Sequence, residues 1–318
     1  MAELRGRAPW LRICGRGQGT GVLAMELERF LTAIVLAMAV VISACSWTAP
    51  AHAQFEIQKP EVQKGEFELE YHGAYFNGLP SLPTDAARQG HEFKALYGLT
   101  DWFQIKAAAE LEQERAEDGS FNTLKLSEVE GQSKVELVPL TGDGFGASFL
   151  AAYGESVVSN EDESAITFGP ILKAVRGPLS FTANLFPVYS FNIKETEIGY
   201  KEGEAEVEIE RTPDHWNFDY AWQLKHQTGE HWAVGVEGFG RFEDIAGDVA
   251  DSEADKHRFG PVIYLGFGDH GHGSAGHGNG HDLAARSMPA LEIAFGVLFG
   301  LNDDTSDIAL KWDADFAF

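Results

Sequence analysis

The stretch DIALKWDADFAF, Asp307–Phe318, decides the fold. Ile308, Leu310, Trp312, Ala314, Phe316 and Phe318 fall on one side of an extended chain, with Lys311, Asp313 and Asp315 on the other. Bulky apolar groups opposite charges at a period of two describe a strand whose faces meet different surroundings. On a helix, at 3.6 residues per turn, the same charges would be scattered around the axis.

The period recurs upstream. FQIKAAAELE, from Phe103, sets Ile105, Ala107, Ala109 and Leu111 against Gln104, Lys106, Glu110 and Glu112. EFELEYHGAYF sets Phe67, Leu69, Tyr71 and Tyr75 against Glu66, Glu68, Glu70 and His72. HWNFDYAWQLKH sets Trp216, Phe218, Tyr220, Trp222 and Leu224 against Asn217, Asp219, Gln223 and Lys225. Strands are expected at 66–76, 91–99, 102–113, 123–137, 145–155, 164–175, 179–191, 215–227, 231–242, 256–267, 288–299 and 307–318. In the fourth of these, parity slips between Leu126 and Val135.

Strands of about ten residues, apolar outside and polar inside, are the mark of a transmembrane β-barrel, although alternation alone would also suit a sandwich. Connection lengths separate the two. LTD, PLTGDG, RGP and TGE are tight, and between them come NGLPSLPTDAARQG, ERAEDGS, SVVSNEDES, IKETEIGYKEGEAEVEIERTPD and EDIAGDVADSEAD. Short turns alternating with long loops fit a barrel with both termini in the periplasm. The expected fold is therefore all-β, a transmembrane antiparallel barrel of about twelve strands within a range of about ten to fourteen. KEGEAEVEIER, Lys201–Arg211, alternates too and reads either as a solvated hairpin or as a strand continuing above the membrane.

The chain has 318 residues, with 24 Lys and Arg against 49 Asp and Glu, a net charge of −25 that argues against nucleic-acid partners. The apolar run Phe30–Ala44 is short for a membrane helix, and APAHA precedes Gln54, so residues 1–53 read as a cleaved signal peptide. Met25 is an alternative start, and ISAC, ending at Cys45, an alternative lipoprotein box. Cys14 and Cys45 both lie in this leader, leaving no thiol for a disulfide or metal site beyond it. Residues 54–65 are expected as a periplasmic N-terminal segment, and 66–318 as the barrel.

With its leader, amphipathic strands and terminal FAF, the chain resembles bacterial outer-membrane β-barrel proteins. The resemblance implies lipid and lipopolysaccharide around the barrel, and Phe316 and Phe318 as a signal for the barrel-assembly machinery. LYGLTDWFQIK, Leu96–Lys106, is similar to a hairpin of putative outer-membrane transporters of the phenol-degradation MetA-pathway type.

Period two directs Glu68, Glu70, Lys106, Glu110, Asn184, Asp219, Lys225, Glu237, Arg241, Arg258, Glu292, Lys311, Asp313 and Asp315 into the lumen. They could line a path for small solutes, or pair with one another and fill a narrow barrel. No catalytic motif is found. The one His-x-Ser, His272–Ser274, lies in a Gly-rich stretch without the rigid setting a nucleophile needs. No cofactor is required by the sequence. GFGDHGHGSAGHGNGHD, Gly266–Asp282, is a His-rich insertion at 269–282 among expected short turns. Its His270, His272, His277 and His281 suit weak, unselective binding of zinc, copper or nickel. Three functions follow: a passive outer-membrane channel or transporter for small solutes, a metal-binding or tolerance protein, and a structural or adhesive barrel.

Overall fold

The computed structural model describes residues 55–78, 88–114, 123–157, 161–201, 204–211, 213–246, 256–267, 290–302 and 305–318. Its elements are all strands: β1 Phe67–Asn77, β2 Arg88–Thr100, β3 Phe103–Glu114, β4 Lys125–Val138, β5 Gly144–Ser156, β6 Glu161–Arg176, β7 Leu179–Lys201, β8 Glu204–Arg211, β9 His215–Gln227, β10 Trp232–Phe242, β11 Lys256–Phe267, β12 Ala290–Gly300 and β13 Ile308–Ala317. Twelve of them form one antiparallel ring, which β1 closes by pairing with both β2 and β13. Closure leaves no unpaired edge, the condition for a sheet in a membrane.

The thirteenth strand lies outside the ring. β7 continues past the point where it pairs with β9, Lys194 and Glu195 still pairing with β6, and Lys194–Lys201 pairs with β8 as a hairpin. The connection containing KEGEAEVEIER is thus a β-hairpin arm on the barrel.

The irregularity of the fourth strand has a local cause. Glu110 pairs with Glu128 but Leu111 with Leu126, so Ser127 is an extra residue, and its hydroxyl donates to the Glu110 carbonyl at 3.2 Å. Directly paired residues share a face, so this bulge puts Leu126 on the outer face with Leu111, as Val129 is with Ala109.

The ring is inside-out relative to a water-soluble protein. Phe93, Ile105, Phe149, Ile263, Phe295 and Leu310 are among thirty large apolar side chains left exposed among the described residues, while Glu92, Lys94, Lys106, Glu110, Glu237 and Lys311 are buried. Leaving that many large apolar groups in water would forfeit on the order of tens of kcal/mol of burial, more than the ~5–15 kcal/mol stability of a whole domain. Hydrocarbon resolves the conflict. Trp102, Phe145, Trp232, Phe267 and Phe318 stand exposed at the end with the shorter turns, where aromatic residues belong at a membrane interface.

At that end Asp101–Trp102, Pro139–Asp143, Gly177–Pro178 and Thr228–His231 join consecutive strands, and 268–289 joins β11 to β12. Apart from the four residues between β5 and β6, longer connections leave the opposite end. His270, His272, His277 and His281 lie outside the described residues.

Candidate functional site

The segment expected as a periplasmic tail is the main departure from the sequence reading. Phe55–Gly65 runs inside the barrel. Phe55 packs on Phe76 and Phe239 with ring centroids 5.4 and 5.1 Å away, toward the end with longer connections. The chain then descends until the Gly65 amide donates to the Gly98 carbonyl at 2.7 Å, where β1 begins.

An irregular backbone in a lumen forms no ladder, so side chains must satisfy its peptide groups. Asn184 does so twice: the Gln58 amide donates to its Oδ1 at 2.8 Å, and its Nδ2 donates to the Gln58 carbonyl at 3.0 Å. Lys311 donates to the Phe55 carbonyl at 2.8 Å, Lys134 to that of Lys59 at 2.7 Å and Ser148 to that of Pro60 at 2.9 Å. Side-chain pairs complete the attachment. Glu56 binds Lys94 and, at 3.1 Å, Lys106; Lys59 meets Asp315 at 3.3 Å; Glu61 pairs with Lys173. Partners come from β2 through β7 and from β13, so the segment is held from most sides.

The charges on the inner face form a belt of paired groups. Glu237 accepts from Lys311 at 2.6 Å, Tyr264 at 2.8 Å and Gln223 at 3.0 Å. Lys311 also pairs with Asp313 at 2.9 Å; Asp313 meets His72 at 3.1 Å, and His72 lies 3.5 Å from Glu70. Arg241 grips Asp219 through two donors at 2.6 Å, and Lys225 pairs with Glu292 at 3.0 Å. Arg258 donates to Ser306, and Glu110 is buried. Glu68 stands beside Glu70 and Asp315, their nearest oxygens within 4.8 Å of one another.

Several lumenal groups escaped the sequence reading, namely Glu56, Gln58, Lys59, Glu92, Lys94, Lys134 and Lys173. Period two in HEFKALYG would have found Glu92 and Lys94, and period two in QSKVEL, which follows the bulge at Ser127, would have found Lys134. Glu56, Gln58 and Lys59 carry no strand signature.

Among the described residues two donor groups are compact enough to share an ion: Glu56, Glu70 and His72, and Glu68, Glu70 and Asp315. In the first, Lys94 and Lys106 already compensate Glu56, and Asp313 holds His72, so ion pairing accounts for the cluster.

Two cavities flank the segment. One of about 230 Å³, on the side of the longer connections, is lined by Phe55, Phe76, Tyr220, Phe239, Arg241 and Arg258. The other, about 500 Å³ near the shorter turns, is lined by Lys59, Lys173, Lys225, Trp232, Tyr264 and Glu292. Between them Gln58 and Asn184 form a crossbar.

Phe316, on the outer face, pairs with Leu69 and Leu291, and the Phe318 amide donates to the Phe67 carbonyl at 2.8 Å. The terminal aromatics therefore lie on the closing seam.

No family model matches the chain, and no curated protein matches it. Solved structures do. An outer membrane channel from Pseudomonas putida F1 is similar with a TM-score of 0.54 at 8% identity, over 83% of this chain and all (100%) of that one. The NanC porin is similar with a TM-score of 0.42 at 10% identity, over 79% of this chain and 98% of that one. The translocator domain of the autotransporter NalP from Neisseria meningitidis gives 0.43 at 9% identity, over 94% and 96%. With its closed ring, apolar outer wall and charged lumen, the chain has the fold of the bacterial outer-membrane β-barrel proteins.

Proposed function

We propose that this protein is a passive outer-membrane channel for small solutes, with its own N-terminal segment as the constriction. The observation that carries the proposal is the pair of cavities, about 230 and 500 Å³, on either side of that segment in one charged lumen. A barrel meant only as a scaffold would be filled by its own side chains, as eight-stranded barrels are. Here a separate piece of chain does the filling. Its attachment is polar throughout, apart from Phe55 and Ile57, and polar contacts exchange readily with water. By the rule that outer-membrane barrels carry short periplasmic turns and long external loops, the 500 Å³ cavity faces the periplasm and the smaller one the exterior. The same rule leaves both ends of the barrel chain on the periplasmic side and puts the His-rich insertion there. Insertion from that side would use the terminal Phe318 as the signal to the assembly machinery.

The test is conductance in planar bilayers. Full-length protein is expected to show small, steady channels, and a variant lacking residues 55–64 to conduct several-fold more. Absence of conductance in both overturns the proposal.

A further inference from the structure

The cavity on the side of the longer connections holds a cation with no anionic partner among the described residues. Arg241 there is bound by both oxygens of Asp219, Lys94 by Glu56 and Glu92, and Lys256 by Glu243 at 3.0 Å. Arg258 differs. Its Nε and Nη2 donate to the single hydroxyl of Ser306, at 3.2 and 3.1 Å, and no carboxylate is within salt-bridge distance among the described residues. Its carbon Cζ lies 5.3 Å from the ring centroids of both Phe55 and Phe76. Two of a guanidinium's five N–H groups are thus engaged.

This is unusual in a chain where acidic residues outnumber basic ones 49 to 24. A partly buried cation without an anion is costly, and a Ser hydroxyl compensates it only weakly. Aromatic faces supply attraction but no acceptor for the remaining donors. What completes such a guanidinium is a carboxylate, whose two oxygens match its fork. The rest of the cavity is suited to what the carboxylate would be attached to. Phe186, Tyr220 and Phe239 line it, and its volume of about 230 Å³ lies below the ~300–1,000 Å³ of drug-sized sites. Glu130, which also lines the cavity, accepts from Gln132 and would repel a second negative group, favouring a monoanion.

We propose that this cavity binds a small organic monoanion, a carboxylate on an apolar body, with Arg258 taking the carboxylate and the aromatic wall taking the body. As a statement of substrate class this rests on the channel proposal, whereas binding itself requires no conduction. Because Phe55 belongs to the N-terminal segment, the occupant would sit directly against the constriction.

Calorimetry on the detergent-solubilised full chain, with hexanoate and its uncharged counterpart hexanamide as probes, tests the site. Hexanoate is expected to bind roughly ten- to a hundred-fold tighter than hexanamide, the range for hydrogen bonds to a charged group. R258Q should abolish that preference, and R258K, with a charge but no fork, should keep a reduced one. Each variant is first checked for a heat-modifiable barrel on an unboiled gel, and R258K decides the matter if R258Q does not fold. Equal affinity for the two probes in the unaltered protein, or an undiminished preference in either variant, overturns the site. Hexanoate binding without conductance would overturn the channel and leave the site standing. Conductance without hexanoate binding would do the reverse.

Discussion

The two sides of the barrel wall are built from the same strands by different rules. On the outside, each residue is specified by itself: Phe295 is over half exposed and touches hydrocarbon whichever apolar neighbour it has. On the inside, each residue is specified by a partner. Lys311 is buried and acceptable there only because Glu237, Asp313 and the Phe55 carbonyl surround its ammonium. Those partners lie on β10, on β13 itself and in the N-terminal segment. The outer face therefore follows the local period, and the inner face depends on contacts remote in sequence.

The sharpest way to break this contrast is to remove one inner partner. Lys311→Met keeps the stem of the side chain and deletes its charge, leaving Glu237 with only Tyr264 and Gln223 as donors. Breaking a buried pair by removing one partner costs about 3–5 kcal/mol. Urea unfolding from lipid vesicles should register that loss, whereas the double change Lys311→Met with Glu237→Gln should recover much of it. No recovery would mean that the belt is not a set of specific pairs. A smaller effect is expected on the outside. Phe295→Arg puts a charge mid-strand on the lipid face, where such substitutions cost about 2–4 kcal/mol near the bilayer midplane. Here no second substitution on the inner face should compensate, because the penalty comes from the lipid. Loss of heat-modifiable barrel in vesicles measures it.

The same contrast explains what could be read from the sequence. Lys311, Asp313 and Asp315 were directed into the lumen by alternation alone, because the outer face enforces period two on every strand that crosses lipid. The bulge at Ser127 defeated this in β4, since one extra residue inverts the parity of everything before it. Phe55–Gly65 was illegible for a deeper reason. FEIQKPEVQKG has no run long enough to be a membrane strand, and nothing in it indicates that Glu56 belongs with Lys94 and Lys106, or Gln58 with Asn184. The four histidines at 270–281 are plain in the sequence, but composition alone does not specify a geometry.

The smallest expected effect separates segment from wall. Gly98, in the YGLTD turn region, faces the point where the N-terminal segment leaves the lumen. A Cβ there would lie 1.9 Å from the Gln63 carbonyl oxygen, a backbone atom with no flexible side chain to yield. In Gly98→Ala the segment must therefore shift, or the start of β1 must, at the cost of about 1–3 kcal/mol typical of overpacking. The register of β2 with β1 and β3 gives the wall a long ladder on both sides of this position. The segment has only discrete side-chain contacts, and the amide of Gly65 bonds to the Gly98 carbonyl itself. The weaker structure should move. Gly98→Ala is thus expected to leave the barrel heat-modifiable and folded, while limited proteolysis cuts within 55–65 faster than in the unaltered protein. If instead the barrel unfolds and protection of the segment persists in what remains folded, the segment is part of the wall's own stability and the division between wall and segment fails.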